Sequence, residues 1–336
     1  MHTRLTILVA ATIGLASTAL LGGAADTTAA STRGGFLTWE EAVALGHPVV
    51  RDFARPPGMP ICPPVYPTPP GLAPGEEAPD DAPVCFTPPE EQGLRIPRSP
   101  LRSGLSLLHG EGSSTHRLVG SRTAYFNFEG GKMTTEVTNP SICSWCANNQ
   151  HFYDRTVARS TGGNYIEMGW IESNWGPTYT GDDQMIASVT GTPDDFWPLV
   201  HDSWDLSVHS QYGFRTLQCG PAGDLKVCMQ WYDPYYDIWR NLRTWTGVMR
   251  CESADGSGNC LVNFYGEAAS ADSSSWFDLN GGDDLLVTRD IKVEFNDSWS
   301  LFNDCCFTGY WRLDDSPYHA CPIYTWYHFR SRRGTC

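Results

Sequence analysis

The chain has 336 residues, a formal net charge of −15 and twelve cysteines. We expect so acidic a chain to bind neither nucleic acid nor an anionic membrane, because neither attracts a negatively charged surface. The length allows one large domain with a sizeable core, and a composition rich in Gly, Pro, Trp and Tyr but poor in Lys is typical of a β-rich extracellular domain.

Residues 1–25 have the pattern of a secretory signal peptide. Arg4 gives a positive start, Leu5 to Leu21 form an apolar run, and small residues allow cleavage after Ala25 or Ala30. The run is too short, and too soon followed by polar sequence, for a membrane anchor. We therefore expect a secreted protein with no membrane partner once the leader is removed.

Residues 26–115 are expected to form a proline-rich pro-segment or linker. Prolines recur from Pro56 to Pro89 so often that the segment cannot supply central strands or long helices, and extended chain is predicted instead. Two interpretations are open. The segment is either a linker or arm that wraps the surface, or a propeptide that covers a catalytic cleft until it is removed.

Residues 116–336 are predicted to form one disulfide-stabilised domain. Short segments rich in aromatic and β-branched residues, separated by Gly, Asp, Asn or Pro, indicate strands. They are 124–128, 132–137, 152–158, 164–172, 184–189, 204–208, 213–218, 226–232, 242–249, 261–269, 291–295 and 309–313. The first two are predicted to form a hairpin whose turn is Glu129-Gly130-Gly131. The pattern predicts an all-β fold, an antiparallel β-sandwich of concanavalin-like or jelly-roll type.

The even number of cysteines favours disulfides in an oxidising compartment. Three local pairs are predicted, Cys62–Cys85, Cys219–Cys228 and Cys251–Cys260. Cys143 and Cys146 form a CxxC that we interpret as a structural bridge rather than a zinc or redox site, since no second CxxC or His pair completes a metal set. Pairing among the last four cysteines cannot be read from the sequence.

Two segments place a glutamate two residues after a tyrosine, so that the pair shares one face of a strand. In the first, Tyr165 and Glu167 alternate with the apolar residues Ile166, Met168 and Trp170, which should pack between the sheets. The second, about a hundred residues later, contains Tyr265 and Glu267. Either the glutamates are ordinary solvated side chains, or they form an acid–base pair.

The first segment resembles a known family. Ile166-Glu167-Met168-Gly169-Trp170 is similar to the Ile-Glu-Ala-Gly-Trp segment of the neprosin family of secreted glutamic peptidases, and Thr180 to Gln184 resembles that family's Tyr-Gly-Asp-Asn turn. Tyr265-Gly266-Glu267-Ala268 resembles the Gly-Gly-Glu-Val element that carries the family's second catalytic glutamate. The longer loop 171–179 and the nearly seventy residues after Glu267 depart from the family pattern.

The resemblance implies a secreted, acid-active endopeptidase with Glu167 and Glu267 as catalytic residues. One ionised carboxylate would take a proton from the attacking water, and one protonated carboxyl would donate to the developing oxyanion or leaving amine. Tyr165 and Tyr265 are candidates to orient these groups or stack substrate, and Trp170 is a further candidate substrate contact. The expected partner is a protein or peptide substrate.

Other interpretations of the same residues stay open. A carboxylate pair in an aromatic-lined groove also serves glycoside hydrolysis, and a sandwich with an aromatic face can bind glycans or another surface partner without catalysis. Asp182-Asp183 and Asp283-Asp284 are either calcium ligands or solvated turns. Because the histidines show no zinc spacing (His201, His209, His319 and His328), no metal and no cofactor are expected.

Overall fold

The structure of the chain is a computed structural model. It describes residues 36–37, 55–66, 68–88, 96–97, 115–123, 129–138, 151–159, 165–173, 184–190, 197–219, 226–246, 261–270, 286–295, 297–302, 311–314, 318–325, 328–333 and 336. The predicted leader, Cys143, Cys146, Cys251, Cys260, Cys305, Cys306, the strand 124–128 and both Asp pairs lie outside these residues. All the strands lie in one compact unit, Gly34–Cys336.

The described residues form strands and no helix, so the predicted all-β class is confirmed. One large sheet, here called the nine-stranded sheet, has the order β17 (Tyr318–Thr325), β18 (His328–Arg333), β14 (Leu286–Phe295), β5 (Gly130–Glu136), β10 (Gln211–Gln218), β11 (Lys226–Asp233), β12 (Ile238–Thr246) and β2 (Val84–Phe86), with β15 (Ser298–Leu301) also paired to β14. The neighbours are antiparallel except for β2, which runs parallel to β12.

The second sheet, here called the seven-stranded sheet, has the order β16 (Trp311–Asp314), β4 (Thr115–Arg122), β13 (Leu261–Ser270), β6 (His151–Arg159), β7 (Tyr165–Ser173), β8 (Gln184–Thr190) and β9 (Trp197–Asp205). Its strand pairs are antiparallel. A separate ribbon pairs β1 (Phe36–Leu37) with β3 (Ile96–Pro97).

The two sheets pack face to face as a sandwich. A Cβ atom added at Gly131 of β5 would lie 2.5 Å from Cγ1 of Val262 on β13 and 3.1 Å from the ring of Phe264. Gly131 therefore faces the seven-stranded sheet across the core. Fully buried apolar side chains from both sheets fill the interior, among them Met133, Phe214, Trp231, Met168, Trp170 and Phe264. The apolar face predicted for residues 166–170 is thus confirmed at Met168 and Trp170.

The predicted glycine turn is wrong. Gly130 and Gly131 lie inside β5, where both are paired with β10 and with β14. Gly131 is needed because Val262 and Phe264 leave no room for a Cβ atom, and not because the chain reverses there. Gly130 is crowded instead by Thr216 and Leu217 of the neighbouring strand β10. A glycine pair required by close backbone approach looks the same in sequence as a glycine pair in a turn.

The proline-rich arm, residues 55–88, packs on the nine-stranded sheet. Leu72 donates its N–H to the carbonyl oxygen of Gln211, and β2 adds a three-residue strand at the edge of the sheet. Leu72 and Ala78 are buried against Tyr232 and Trp239. As expected of so many prolines, the described residues of the arm form no helix and no central strand. The edge position of β2 suits chain that lacks many N–H donors.

Three disulfides join described cysteines. Cys62–Cys85 and Cys219–Cys228 confirm two predicted pairs, and Cys321–Cys336 is a pair that the sequence left open. Such bonds are typical of proteins from oxidising compartments. Within the part of the chain described, we find no helix long and apolar enough to cross a membrane.

Candidate functional site

Glu167 occupies an outward-facing position on the seven-stranded sheet. It alternates along β7 with Met168 and Trp170, both of which are fully buried. Met168 is paired through Thr156 with Phe264, whose ring faces β5 across the core. Because successive residues of a strand point to opposite faces, the position of Glu167 belongs to the face turned away from the core. This face is here called the outer face of the seven-stranded sheet.

The strand register places Glu167 in a row that contains polar residues on other strands. Ser188 of β8 is directly opposite it, and Val157 of β6 is opposite on the other side. Val157 is in turn paired with Asn263 of β13. Residues in one such row share a face of the sheet. Ser188 and Asn263 are therefore polar positions in line with Glu167, as is Arg122 of β4, which is paired with Asn263. None of the three was predicted from the sequence.

Glu267 shares the outer face with Glu167 but not its row. Glu267 is paired with Tyr153, which is paired with Ile171, four residues beyond Glu167 on β7. Four residues span about 13 Å and two inter-strand steps about 10 Å, so the two Cα atoms are roughly 16 Å apart on a flat sheet. A glutamate side chain reaches only about 5 Å from its Cα. At that separation the two carboxyl groups cannot contact each other directly.

Arg155 of β6 occupies the register position midway between the two glutamates. It is paired with Tyr265 on one side and with Gly169 on the other. The outer face thus has a cationic residue placed between two acidic ones. Sequence reasoning missed Arg155 because only the pairing of β6 with both neighbours shows that it belongs with Glu167 and Glu267.

The predicted aromatic contacts have different environments. Tyr265 is on the outer face opposite Gly120 of β4, and it is buried, with 8% of its surface exposed. Trp170 is fully buried on the core face, so its ring has no surface to offer a substrate. Tyr165 is paired with Arg159 and Thr190 at the start of β7.

The nine-stranded sheet has a second polar cluster, between its outer face and the arm. Lys132 of β5 is fully buried, and its Nζ donates hydrogen bonds to Asp80 and, over 2.8 Å, to the carbonyl oxygen of Ala78. Lys292 of β14 donates to the other carboxylate oxygen of Asp80 over 2.9 Å and forms an ion pair with Glu77. Asp80 therefore bridges two ammonium groups.

The pKa values in this cluster follow from burial and pairing. Burial by itself would raise the pKa of Asp80, but the hydrogen bonds from Lys132 and Lys292 outweigh it and hold that pKa below its usual value. Burial lowers the pKa of Lys132, although Asp80 opposes this. Lys292 is affected by burial in the same direction, yet its bonds to Asp80 and Glu77 raise its pKa. The cluster holds together as ions because each charge has an opposite partner.

Glu294 stands beside this cluster on β14. Burial raises its pKa to about 7, while the charge of Arg215 opposes the shift. Arg215 is itself buried, donates to the side-chain oxygen of Gln230 over 2.7 Å, and stacks on Trp239 with its guanidinium carbon 4.0 Å from the ring centre. A carboxyl group that changes charge near neutral pH therefore borders the surface where the arm is bound.

Among the described residues, no group of three or more His, Cys, Asp or Glu is placed to hold a metal ion. His209 lies 3.3 Å from Glu136 in an exposed pair, and His319 and His328 belong to β17 and β18.

In sequence, no known protein family matches the chain. No curated protein matches it either. In structure it is similar to scytalido-glutamic peptidase, crystallised with a peptide-based transition-state analogue, with 9% identity, a TM-score of 0.40, and coverage of 66% of this chain and 99% of that one.

Two further solved structures are similar to a lower degree. SCP-B, described as a member of the eqolisin family of peptidases in complex with the tripeptide Ala-Ile-His, has 8% identity, a TM-score of 0.38 and the same coverage. Galectin-Ib of Xenopus laevis has 7% identity, a TM-score of 0.25, and coverage of 52% of this chain and 100% of that one. Likeness at this level assigns no activity, and the resemblance to the neprosin family rests on the residues around Glu167 and Glu267.

Proposed function

We propose that this chain is a secreted peptidase of the glutamic type that hydrolyses peptide bonds on the outer face of the seven-stranded sheet. The observation that carries the proposal is the placement of Glu167 and Glu267 on that one face, away from the core. The resemblance of Ile166 to Trp170 to a peptidase segment supports it. The disulfides support secretion, as does the leader pattern at the N-terminus.

The proposed chemistry uses a water molecule between separated carboxyl groups. Glu167 is proposed as the general base that takes a proton from this water, and Glu267 as the acid that donates to the leaving amine. Arg155, midway between them, is proposed to stabilise the negative charge that develops on the peptide carbonyl oxygen. Because this mechanism needs one carboxyl group protonated while the other is ionised, activity is expected at acidic pH.

Ser188 and Asn263 are proposed as positioning residues. Both are in the row of Glu167, Ser188 as its direct neighbour and Asn263 two strands away. A hydroxyl or amide group beside a general base can orient the base or the attacking water by hydrogen bonding. If Ser188 has this role, its replacement by Ala should lower kcat more than it raises KM.

The test is digestion of an unfolded protein substrate at acidic pH by the purified full-length chain. We expect Glu167→Gln and Glu267→Gln each to lower kcat/KM by a factor on the order of a hundred or more. Glu136→Gln, on the other sheet, is the matched control and should keep full activity. Thermal unfolding of all three variants checks that the fold is intact.

Three outcomes would count against the proposal in different ways. Hydrolysis at the control level in both Gln variants would refute a glutamate mechanism. Loss of activity in Glu167→Gln alone would remove Glu267 from the site and leave Asn263 as the nearest polar position on β13. Inhibition by chelators, or by serine or cysteine reagents, would place the chemistry elsewhere.

A further inference from the structure

Three cations stand side by side on the outer face of the nine-stranded sheet, the face turned away from the core. Lys292 of β14 is paired with Lys132 of β5, and Lys132 is paired with Arg215 of β10. Like charges at directly opposed positions destabilise a sheet. A row of three is therefore costly unless an anion is bound beside it.

The placement of the lysines indicates that this row is not a chance arrangement. The whole chain has three lysines, Lys132, Lys226 and Lys292, and two of them converge on Asp80. In a chain with a net charge of −15, two such rare residues on one aspartate indicate a surface adapted to bind negative charge. This surface, formed by Lys132, Arg215, Arg289, Lys292 and Trp239, is here called the cationic face.

The arm meets the cationic face with an acidic segment. Between residues 56 and 94 the sequence contains six acidic residues and no lysine or arginine. Four of the six are in the run Glu76-Glu77-Ala78-Pro79-Asp80-Asp81. Glu77 pairs with both Lys132 and Lys292, and Asp80 joins the same two ammonium groups.

The cationic face also binds the peptide backbone of the arm. Lys132 donates to the carbonyl oxygen of Ala78 over 2.8 Å, the Trp239 indole to that of Pro79 over 2.8 Å, and Arg215 to that of Asp80 over 3.0 Å. Arg289 donates to the carbonyl oxygen of Glu76. Side-chain donors that read consecutive carbonyl groups select a polypeptide rather than a free anion such as phosphate.

No described disulfide ties the arm to the rest of the fold. Both cysteines of the Cys62–Cys85 bond lie within the arm. The arm therefore stays in place through non-covalent contacts. These are the charged contacts, the hydrogen bonds to its backbone, the short edge strand β2 and the burial of Leu72 and Ala78. Charged contacts between partly exposed groups weaken as salt is added.

We propose that the cationic face is a recognition surface for an extended acidic peptide, and that residues 76–81 occupy it as an intramolecular ligand that an acidic segment of a partner protein can replace. The proposal goes beyond the proposed peptidase activity, since Glu167 and Glu267 belong to the other sheet. Under this proposal, the arm can be displaced from the cationic face of the nine-stranded sheet.

The first experiment uses the full chain with a specific protease site inserted between residues 98 and 110. After cleavage, the arm fragment is removed by gel filtration at high salt. The probe is a fluorescent synthetic peptide of residues 71–82, and its binding is followed by fluorescence anisotropy. A matched peptide with Glu76, Glu77, Asp80 and Asp81 replaced by their amides is the control for charge.

We expect the acidic peptide to bind the cleaved protein and the amide peptide to bind at least about tenfold more weakly. Binding should weaken by roughly tenfold or more between about 0.05 and about 0.5 M NaCl, as expected for charged contacts. Lys292→Met should also weaken binding about tenfold, whereas Lys226→Met, which removes the third lysine, should leave it unchanged.

A second experiment needs no cleavage. In the intact chain, the double variant Glu77→Gln with Asp80→Asn removes both carboxylates that contact the lysines. We expect this variant to bind the acidic peptide added in trans, while the wild-type chain, whose arm keeps its charges, binds it far more weakly.

Two results would overturn the proposal. One is a cleaved protein that loses its arm and keeps its fold but binds no peptide. The other is a protein that unfolds when the arm leaves, together with no binding in trans to the double variant. The arm would then be a permanent part of the sandwich.

Discussion

Gly213 of β10 sets how closely the arm approaches the sheet, and Gly213→Ala tests this contact without changing any charge. A Cβ atom at Gly213 would lie 2.7 Å from the Cβ of Ala78 in the arm and 3.3 Å from the Cβ of Tyr232. A change of rotamer cannot relieve either contact, because a Cβ atom moves only with its backbone. Either the arm or the sheet has to shift.

The size of the effect follows from that distance. Carbon atoms in contact are usually about 3.5 to 4.0 Å apart, so Ala78 would have to retreat by about 1 Å. Overpacking of this kind costs about 1–3 kcal/mol. The arm should yield first, because β10 is hydrogen-bonded on both sides, to β5 and to β11, whereas the arm is held at one face. A cost of about 2 kcal/mol corresponds to roughly thirty-fold more frequent opening of the arm.

Hydrogen exchange of single amides measures this opening. The amide of Leu72 donates to Gln211 and that of Trp239 donates to Pro83, so both report on whether the arm is in place. We expect Gly213→Ala to speed exchange at these amides about thirty-fold while leaving the amides between β10 and β5 protected.

Ala78→Gly in the same background removes the methyl group that clashes and should restore most of the protection. The two changes should therefore be strongly non-additive, as expected for residues in contact. A double variant that exchanges no more slowly than Gly213→Ala alone would refute the reasoning, and so would unchanged exchange in Gly213→Ala.

Two further predictions concern the charged and apolar parts of the sandwich. Because the pKa of Glu294 is raised to about 7, the folded chain binds more protons than the unfolded chain between about pH 4.5 and 7, and stability should fall by up to about 3 kcal/mol as pH rises through that window. Glu294→Gln should flatten this dependence in urea unfolding at about pH 5 and about pH 8, and an unchanged slope would assign it to another group. Gly131→Ala places a methyl group 2.5 Å from Val262 and should lower the free energy of unfolding by about 1–3 kcal/mol, with Val262→Ala as the compensating second change. Equal stability of wild type and Gly131→Ala would contradict the face assigned to β5.

Much of the fold could be predicted from local sequence. Enrichment in aromatic and β-branched residues between turn residues identified many of the strands, although β4, β17 and β18 were missed. Alternation of apolar and polar residues identified the buried face of β7 at Met168 and Trp170. Two disulfides were predictable because their cysteines are close in sequence. Cys321–Cys336 was not, since four cysteines near the C-terminus allow more than one pairing.

The predictions were weaker where the structural role of a residue depends on contacts with a strand far away in the sequence. Gly130 and Gly131 have the composition of a turn, yet both lie in β5. Val262 and Phe264, more than a hundred positions away on β13, occupy the space that a side chain at Gly131 would need, and Thr216 and Leu217 of β10 occupy that space at Gly130. A surface-wrapping arm was one interpretation of the proline-rich segment, but no local pattern indicated that residues 55–88 rest on the nine-stranded sheet.

The sequence by itself determined that Glu167 and Glu267 lie on the polar faces of their strands. Side chains alternate between the two faces with a period of two, which is a property of each strand alone. Only the tertiary structure decided their neighbours. The pairing of β6 with β7 and with β13 puts Arg155 between the glutamates, and the pairing of β5 with β14 puts Lys132 beside Lys292. Strand register is set by contacts between segments far apart in the chain, so no local pattern contains it.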